Sequence, residues 1–161
     1  MILIRPLSNK DIEAVLKVAQ ALPEWFDEDA RCRAIPLDCR YQDGFVAEER
    51  GRVVGFITLY VAEGRVNIGW MGVLPGLHGG GIGKRLIAAA EGYCREMKIL
   101  ELATYTLGDA VDYQPYEATR AFYYSEGFRI YQRSQTDKPG CPEEIKIKKM
   151  INRNEKNQVN E

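Results

Sequence analysis

Hydrophobic residues along the chain follow two periods, and the changes of period predict the order of the secondary-structure elements. A short strand at residues 2–5 precedes an apolar stripe with the three- and four-residue spacing of a helix. The stripe consists of Ile12, Val15, Leu16 and Ala19. Ser8 and Asp11 have the spacing of a capping pair at the start of this helix. Residues 22–43, which contain two prolines, are expected to be irregular or to form short helices.

Three strand-like runs in the middle of the chain are separated by short turns that contain glycine. They cover residues 45–49, 53–62 and 66–74. The turns, Arg50-Gly51 and Glu63-Gly64, are short enough to join neighbouring antiparallel strands. The pattern then changes to helical spacing over about residues 82–98, with apolar residues at Ile82, Leu86, Ala90, Tyr93 and Met97.

The C-terminal third alternates between strand and helix patterns. We predict strands at about residues 99–107, 128–133 and 144–150, a helix near 115–126, a loop at 134–142 and a polar tail at 152–161. Hairpin-type strands followed by helix–strand–helix–strand predict a mixed α/β fold whose sheet is largely antiparallel. We expect one domain over residues 1–151, because a chain of 161 residues suits a single domain.

The stretch between the third strand and the long helix carries the clearest chemical signal. It reads His78-Gly79-Gly80-Gly81-Ile82-Gly83-Lys84, with four glycines in five positions. Glycine lets backbone N–H groups approach an anion closely, and the N–H groups of a helix's first turn have no intrahelical partners. The positive end of the helix dipole adds to the attraction. The stretch therefore predicts a phosphate-binding loop.

Spacing excludes two common phosphate loops. A Walker A loop needs a glycine five residues before its Gly-Lys pair and Ser or Thr after it, but His78 and Arg85 occupy those positions. A dinucleotide fingerprint would need its third glycine at Lys84 or at Leu86, depending on where it starts. The loop is therefore predicted to bind neither a nucleoside triphosphate nor a dinucleotide in these ways.

The loop that remains resembles the acyl-CoA pyrophosphate loop of the GNAT superfamily of N-acyltransferases. That signature is Gln or Arg, two residues, Gly, one residue, then Gly or Ala; Gly81 and Gly83 match its small positions, and His78 replaces the first. Residues 122–128, Phe-Tyr-Tyr-Ser-Glu-Gly-Phe, resemble the family's late Tyr-x-x-x-Gly-Phe motif. The two motifs occur in the family's order, about 40 residues apart. The resemblance implies a GNAT-like fold, a central twisted sheet of about seven strands with flanking helices.

The resemblance also implies where acetyl-CoA would bind. In the family, the strand before the glycine loop holds the pantetheine arm through its backbone, and one of its N–H groups, here that of Met71, faces the thioester oxygen. The glycine loop binds the pyrophosphate. The expected cofactor-binding residues are Met71, Gly72, Val73, His78, Gly79, Gly80, Gly81, Ile82, Gly83 and Lys84.

Tyr123 matches the family's general-acid tyrosine, which would protonate the departing thiolate. Tyr124 stands beside it, so the sequence leaves open which of the two faces the cleft. The strand before the glycine loop carries no acid, so the general base is open as well. The alternatives are Glu63, Asp109, Asp112 and a proton path through water. His78 is expected to neighbour the phosphates rather than to act as the base.

Two loops combine aromatic rings with carboxylates and are the expected binding site of an amine acceptor. The first loop contributes Trp25, Phe26, Asp27 and Glu28, and the second contributes Asp109 and Asp112. Carboxylates beside aromatic faces would suit a cationic amine.

Composition narrows the classes of partner. The chain has 22 basic and 23 acidic residues, so no global field would recruit nucleic acid or an anionic membrane. It has no apolar signal-peptide stretch and no apolar run near the ~20 residues of a membrane span, and we expect a cytoplasmic location. Four cysteines without a C-x-x-C pair, and one histidine, argue against a structural zinc site.

Together these features predict an enzyme that transfers an acetyl group from acetyl-CoA to a primary amine of a small molecule or peptide, without a metal. Two other classes stay open: a non-catalytic acyl-CoA-binding sensor, and an interaction module whose acceptor cleft is closed. Whether the chain works as a homodimer is open as well.

Overall fold

A seven-stranded sheet runs through the computed structural model, which describes residues 1–153. The strands are β1 (Ile2–Pro6), β2 (Asp43–Glu49), β3 (Arg52–Ala62), β4 (Arg65–Val73), β5 (Glu101–Leu107), β6 (Arg129–Lys138) and β7 (Cys141–Met150). Their order in the sheet is β1-β2-β3-β4-β5-β7-β6, and among these described strands only β4 and β5 pair in parallel. The predicted mixed, largely antiparallel sheet is confirmed. Residues 154–161, most of the predicted polar tail, lie outside the described residues.

In the described part of the chain, four α-helices flank the sheet. They are α1 (Ile12–Gln20), α2 (Ile35–Tyr41), α3 (Ile82–Met97) and α4 (Gln114–Ser125). The Ser8 backbone N–H donates to the Asp11 carboxylate at 2.9 Å, as the capping pattern predicts for the turn before α1. Pro36, expected to break structure, instead lies in the first turn of α2, where a proline removes no needed N–H donor.

Buried side chains form two clusters on opposite faces of the sheet. Phe56 and Ile57 are consecutive residues of β3, and each belongs to a different cluster because neighbouring side chains of a strand point to opposite faces. The α3 cluster includes Leu86, Ile87, Cys94, Leu102, Phe128 and Ile147. The α1–α2 cluster includes Val15, Val18, Leu22, Ile35 and Val46.

The parallel strands β4 and β5 are paired only near their N-terminal ends. Val66 pairs with Leu102 and Asn67 with Ala103, and no further pair follows within the described residues. The Thr104 hydroxyl still donates to the Ile68 carbonyl oxygen at 3.3 Å. Beyond this bridge the two strands diverge, which opens the sheet at its middle.

A bulge in β4 coincides with the divergence. Two residues of β4, Gly69 and Trp70, lie opposite the single residue Thr58 of β3. The Trp70 N–H donates to the buried Thr58 hydroxyl at 2.8 Å, so the bulge leaves this donor satisfied. The bulge bends the C-terminal half of β4 at the point where it leaves β5.

The segment 134–142, predicted as a loop, is instead part of a long hairpin. Strand β6 continues to Lys138 and strand β7 begins at Cys141, so only Pro139 and Gly140 separate them. Ser134 pairs with Glu144 across this extension. The polar composition hid the strands, because both faces of this outer hairpin reach solvent and no apolar alternation is required there.

Candidate active site

A cavity of about 850 Å³ lies where β4 and β5 diverge. We call one part of its wall the glycine end; it consists of Met71, Gly72, Val73, His78, Gly79, Gly81, Ile82, Gly83, Lys84 and Tyr123. We call the other part the aromatic end; it includes Trp25, Phe26, Trp70, Tyr105, Tyr116, Cys141 and Glu144. Nine of the ten predicted cofactor-binding residues are therefore on one wall. Gly80 is not on that wall; its N–H donates to the Leu77 carbonyl at 3.3 Å.

Two glycines of the loop have backbone conformations that other residues rarely adopt. Gly79 has φ of 80° and Gly81 has φ of 84°, and Gly81 directly precedes the first residue of α3. A Cβ atom at either position would meet nothing within 4 Å, so the space above the loop is open. The first turn of α3 contains no acidic residue, and its first N–H groups lack intrahelical partners. Both features suit an anion.

The direction of the N–H groups along β4 follows from two observed hydrogen bonds. The N–H of Trp70 donates to Thr58 and that of Leu74 to the Val54 carbonyl, so both point toward β3. Successive N–H groups of a strand alternate in direction, so those of Met71 and Val73 point away from β3. Because β5 has diverged here, they face the cavity rather than a neighbouring strand.

His78 is held against the end of β4. Its Nε2 lies 2.7 Å from the Val73 carbonyl oxygen, the geometry of an Nε2–H that donates. Its ring meets the Trp25 ring edge-on, with 5.5 Å between centroids. Both contacts position the imidazole between the two ends of the cavity. An imidazole that carries its proton on Nε2 has Nδ1 as its acceptor nitrogen.

Tyr123 reaches the cavity from α4, and Tyr124 does not. The Tyr123 side chain is only 7% exposed, and its hydroxyl lies 3.9 Å from the Met71 sulfur. Burial raises the pKa of Tyr123 well above its ordinary range, although a hydrogen bond with Thr104 acts in the opposite direction. The phenol is therefore protonated at neutral pH. Tyr124 lines a separate, smaller cavity.

Trp25 and Phe26, from the loop after α1, lie on the wall of the large cavity. The Trp25 indole N–H donates to the Pro115 carbonyl and the Thr119 hydroxyl, each at 3.1 Å, which ties this loop to the start of α4. The Phe26 ring packs edge-on against Trp70 at 5.7 Å. The neighbouring carboxylates are elsewhere: Asp27 accepts from the Ala30 N–H at 2.8 Å, and neither it nor Glu28 lines the cavity.

The structure does not bring the other predicted carboxylates to this cavity. Asp109 and Asp112 line the smaller cavity beside Arg120 instead. An ion pair of 2.9 Å with Arg133 holds Asp109 and keeps the pKa of its carboxyl below the usual range. Glu63 is exposed in the turn between β3 and β4 and pairs with Arg65 at 3.6 Å. None of the three is placed to take a proton from a substrate in the large cavity.

Three polar wall residues of the β6–β7 hairpin were not among the predicted site residues; two fall in the segment predicted as a loop, and the third is the first residue of the predicted strand at 144–150. They are Lys138, Cys141 and Glu144. A signal was present, since Ile145 and Ile147 alternate with polar residues. Extending that alternation by one position puts Glu144 on the polar face of the strand.

Within residues 1–153 the structure contains no helix long and apolar enough to cross a membrane. The same residues contain no group of three or more His, Cys, Asp or Glu side chains placed to hold a metal ion.

The acetyltransferase (GNAT) domain family matches residues 40–130, more than half of the chain. The chain belongs to this family. The match includes β4, the glycine loop, α3 and the tyrosine of α4.

Solved structures share the fold over nearly the whole chain. One is Ard1 from Thermoplasma volcanium, with 24% identity, a TM-score of 0.74, and coverage of 94% of this chain and 98% of that chain. Another is the PaiA N-acetyltransferase from Thermoplasma acidophilum in complex with coenzyme A, with 20% identity, a TM-score of 0.71, and coverage of 94% and 99%. A third is the ribosomal-protein-S18-alanine N-acetyltransferase from Escherichia coli, with 14% identity, a TM-score of 0.69, and coverage of 94% of both chains. A search of curated protein sequences found no match.

Proposed function

We propose that this protein transfers an acetyl group from acetyl-CoA to a primary amine of a small molecule or peptide. The observation that carries the proposal is the convergence of three groups on one cavity. They are the glycine loop at the start of α3, the unpaired N–H groups of Met71 and Val73, and the Tyr123 hydroxyl. Pyrophosphate binding, carbonyl polarisation and protonation of the leaving thiolate require groups of these three kinds.

Direct transfer makes one bond and breaks one bond. The amine nitrogen attacks the thioester carbonyl carbon, the C–N bond forms, and the C–S bond breaks. Negative charge develops on the carbonyl oxygen in between, and the Met71 N–H is the donor proposed to stabilise it. Where such a donor has been removed from other enzymes, the loss is about 2.7–4 kcal/mol.

Tyr123 is the proposed proton donor to the sulfur of CoA. Burial raises the pKa of Tyr123, so the phenol is protonated at neutral pH and donates its proton as negative charge develops on the sulfur during C–S cleavage. The amine loses one proton in the same reaction. The carboxylates predicted as bases lie outside the cavity, so we assign this proton to a relay of water molecules, which also returns a proton to Tyr123.

Turnover is tested by mixing the protein with acetyl-CoA and a panel of amines, amino acids and peptides with free N-termini. The expected result is release of CoA thiol that depends on one class of amine. The product should be about 42 Da heavier than the amine, because an acetyl group replaces one hydrogen. Thiol release without an acetylated product would contradict the proposal.

A non-catalytic acyl-CoA sensor is the second candidate. It is favoured by the position of Glu63, Asp109 and Asp112, the carboxylates predicted as bases, outside the large cavity. A sensor would bind acetyl-CoA in calorimetry yet release no thiol with any amine of the panel. The same experiment therefore separates the two functions.

A further inference from the structure

Glu144 lies at the aromatic end of the cavity, on the face of the sheet away from α3. It pairs with Leu107 across β5 and β7, and directly opposed residues of paired strands share a face. The next strand residue, Ile145, points to the other face and is buried in the α3 cluster. Glu144 is half-buried and is on the cavity wall together with Tyr105 and Leu107.

Its carboxylate differs from the neighbouring carboxylates in having no partner. Glu143 pairs with Arg133 at 3.3 Å, and Glu101 pairs with Lys148 at 2.7 Å. Glu144 forms no side-chain hydrogen bond and no ion pair with any residue of the described part of the chain. A half-buried carboxylate loses hydration without gaining a partner, so a cationic ligand would stabilise it.

The position of Glu144 along the sheet sets its distance from the reacting atoms. Tyr123 contacts Thr104, and Thr104 is three residues from Leu107 on β5. Three residues of a strand span about 10 Å. Glu144, opposite Leu107, therefore lies roughly this far along the sheet from the proposed site of acetyl transfer, which is too far for contact with the attacking nitrogen.

We propose that Glu144 binds a second cationic group of the acceptor, so that preferred acceptors are primary amines with a distal positive charge. This inference rests on the proposed acetyl transfer and adds the class of acceptor. The rings of Trp70 and Tyr105 are on the wall of the same cavity and suit the alkyl chain of such an amine. The Trp70 indole N–H donates to Asp38 at 2.8 Å, which orients this ring. Lys138, the cation at this end of the cavity wall, is exposed in the hairpin tip.

The test compares three acceptors that differ only at the far end of one chain: hexylamine, 1,6-diaminohexane and 6-aminohexanoate. For the unaltered protein we expect kcat/KM for the diamine to exceed that for hexylamine by about tenfold or more, because a hydrogen bond to a charged group contributes at least that factor. Glu144→Gln should lower kcat/KM for the diamine by about 10- to 100-fold and change that for hexylamine by less than about twofold. Glu144→Lys should reverse the ranking in favour of 6-aminohexanoate.

Glu143→Gln is the matched control, because it removes the same charge from the adjacent residue of β7, whose side chain points to the other face. It should leave the ranking of acceptors unchanged, and the Kd of acetyl-CoA should be unchanged in all three variants. Equal loss with hexylamine and the diamine in Glu144→Gln would assign Glu144 a structural role and overturn the inference. Preference of the unaltered protein for 6-aminohexanoate would overturn it too, in favour of Lys138. If all three amines react at equal rates, only this inference fails; if none reacts although acetyl-CoA binds, this inference fails, and the wider panel of amines, amino acids and peptides decides the proposed function.

Discussion

The two ends of the cavity are built from different parts of the chain and present different chemical groups. The glycine end comes almost entirely from one continuous stretch, from the bulge of β4 through the first turn of α3, and it presents backbone N–H groups. The aromatic end combines the loop after α1, the strands β4 and β5, the start of α4 and the β6–β7 hairpin, and it presents side chains. A local motif therefore forms one end, and tertiary packing assembles the other.

This difference predicts how each end responds to substitution. Backbone donors depend on chain conformation, so the glycine end should be sensitive to residues that fix φ or hold the bulge, and less to other side chains. At the aromatic end, each side chain contributes its own contact, so substitutions there should change the choice of acceptor while leaving the binding of acetyl-CoA intact. The following variants test this separation, from the largest expected effect to the smallest.

Gly81→Glu should have the largest effect on binding. The glutamate side chain would add a negative charge at the start of α3. The positive φ of position 81 would also strain the backbone of a residue that has a Cβ atom. We expect the Kd of CoA in calorimetry to rise by about 100-fold or more, equivalent to ~2.7 kcal/mol. Gly64→Glu is the control, because Gly64 has a similar φ of 74° in the β3–β4 turn and is not on the cavity wall. Equal loss of affinity in both variants would contradict the assignment of the loop.

Tyr123→Phe should leave binding intact and impair turnover. The change removes the proposed proton donor and little volume, so kcat with a reactive amine should fall by about 10²-fold, within the range of general acid–base catalysis. The Kd of CoA should stay within about twofold of the original value. Tyr124→Phe, in which the adjacent hydroxyl outside the large cavity is removed, should retain its kcat. The reverse result would transfer the acid role to Tyr124.

The pH dependence of turnover should reflect the buried phenol. Burial raises the pKa of Tyr123, so its protonated form persists above the ordinary tyrosine pKa of ~10. We therefore expect kcat not to decline with a midpoint at or below about pH 10, because the phenol stays protonated there. Initial rates at saturating substrates between about pH 7 and 10 measure this. A decline in this range that disappears in Tyr123→Phe would show that the phenol ionises at its ordinary pKa.

Thr58→Val tests whether the bulge positions the C-terminal half of β4. The variant keeps the shape of the buried side chain but leaves the Trp70 N–H without its acceptor, which should lower the free energy of unfolding by about 1–3 kcal/mol. Because the bulge orients Met71, kcat should fall by roughly tenfold as well. Thr58→Ser retains the hydroxyl and should retain most of the kcat. Full activity in Thr58→Val would show that the bulge does not position the proposed oxyanion donor.

Asp109→Asn should have the smallest effect. Asp109 is on the wall of the smaller cavity and pairs with Arg133, so it does not meet an acceptor bound in the large cavity. The KM of a cationic amine should change by less than about twofold, the usual range for a screened surface charge. A larger change that is confined to cationic amines would show that Asp109 belongs to the acceptor site. The aromatic end of the cavity would then reach toward α4.

The order of elements and most strand positions could be predicted from the sequence, because periodicity and turn residues are local signals. The strands β2 to β4 and the helices α3 and α4 lie within two residues of their predicted ends. The β6–β7 hairpin could not be predicted to its full length. Its outer residues pair through backbone hydrogen bonds on a solvated edge, and polar side chains there give no apolar alternation.

By itself, the sequence determined the glycine end. The positive φ angles, the N-terminus of α3 and the order of the two motifs all depend on residues close together in the chain, and glycine is the residue type that the backbone conformation requires. Tertiary structure alone decided the rest of the site. The divergence of β4 from β5, the inward direction of Tyr123 rather than Tyr124, and the choice of Glu144 over Asp109 and Asp112 all depend on strand pairing and register between segments far apart in sequence. A shift of one residue in a strand moves a side chain to the opposite face, so composition alone cannot select the carboxylate that lines the large cavity.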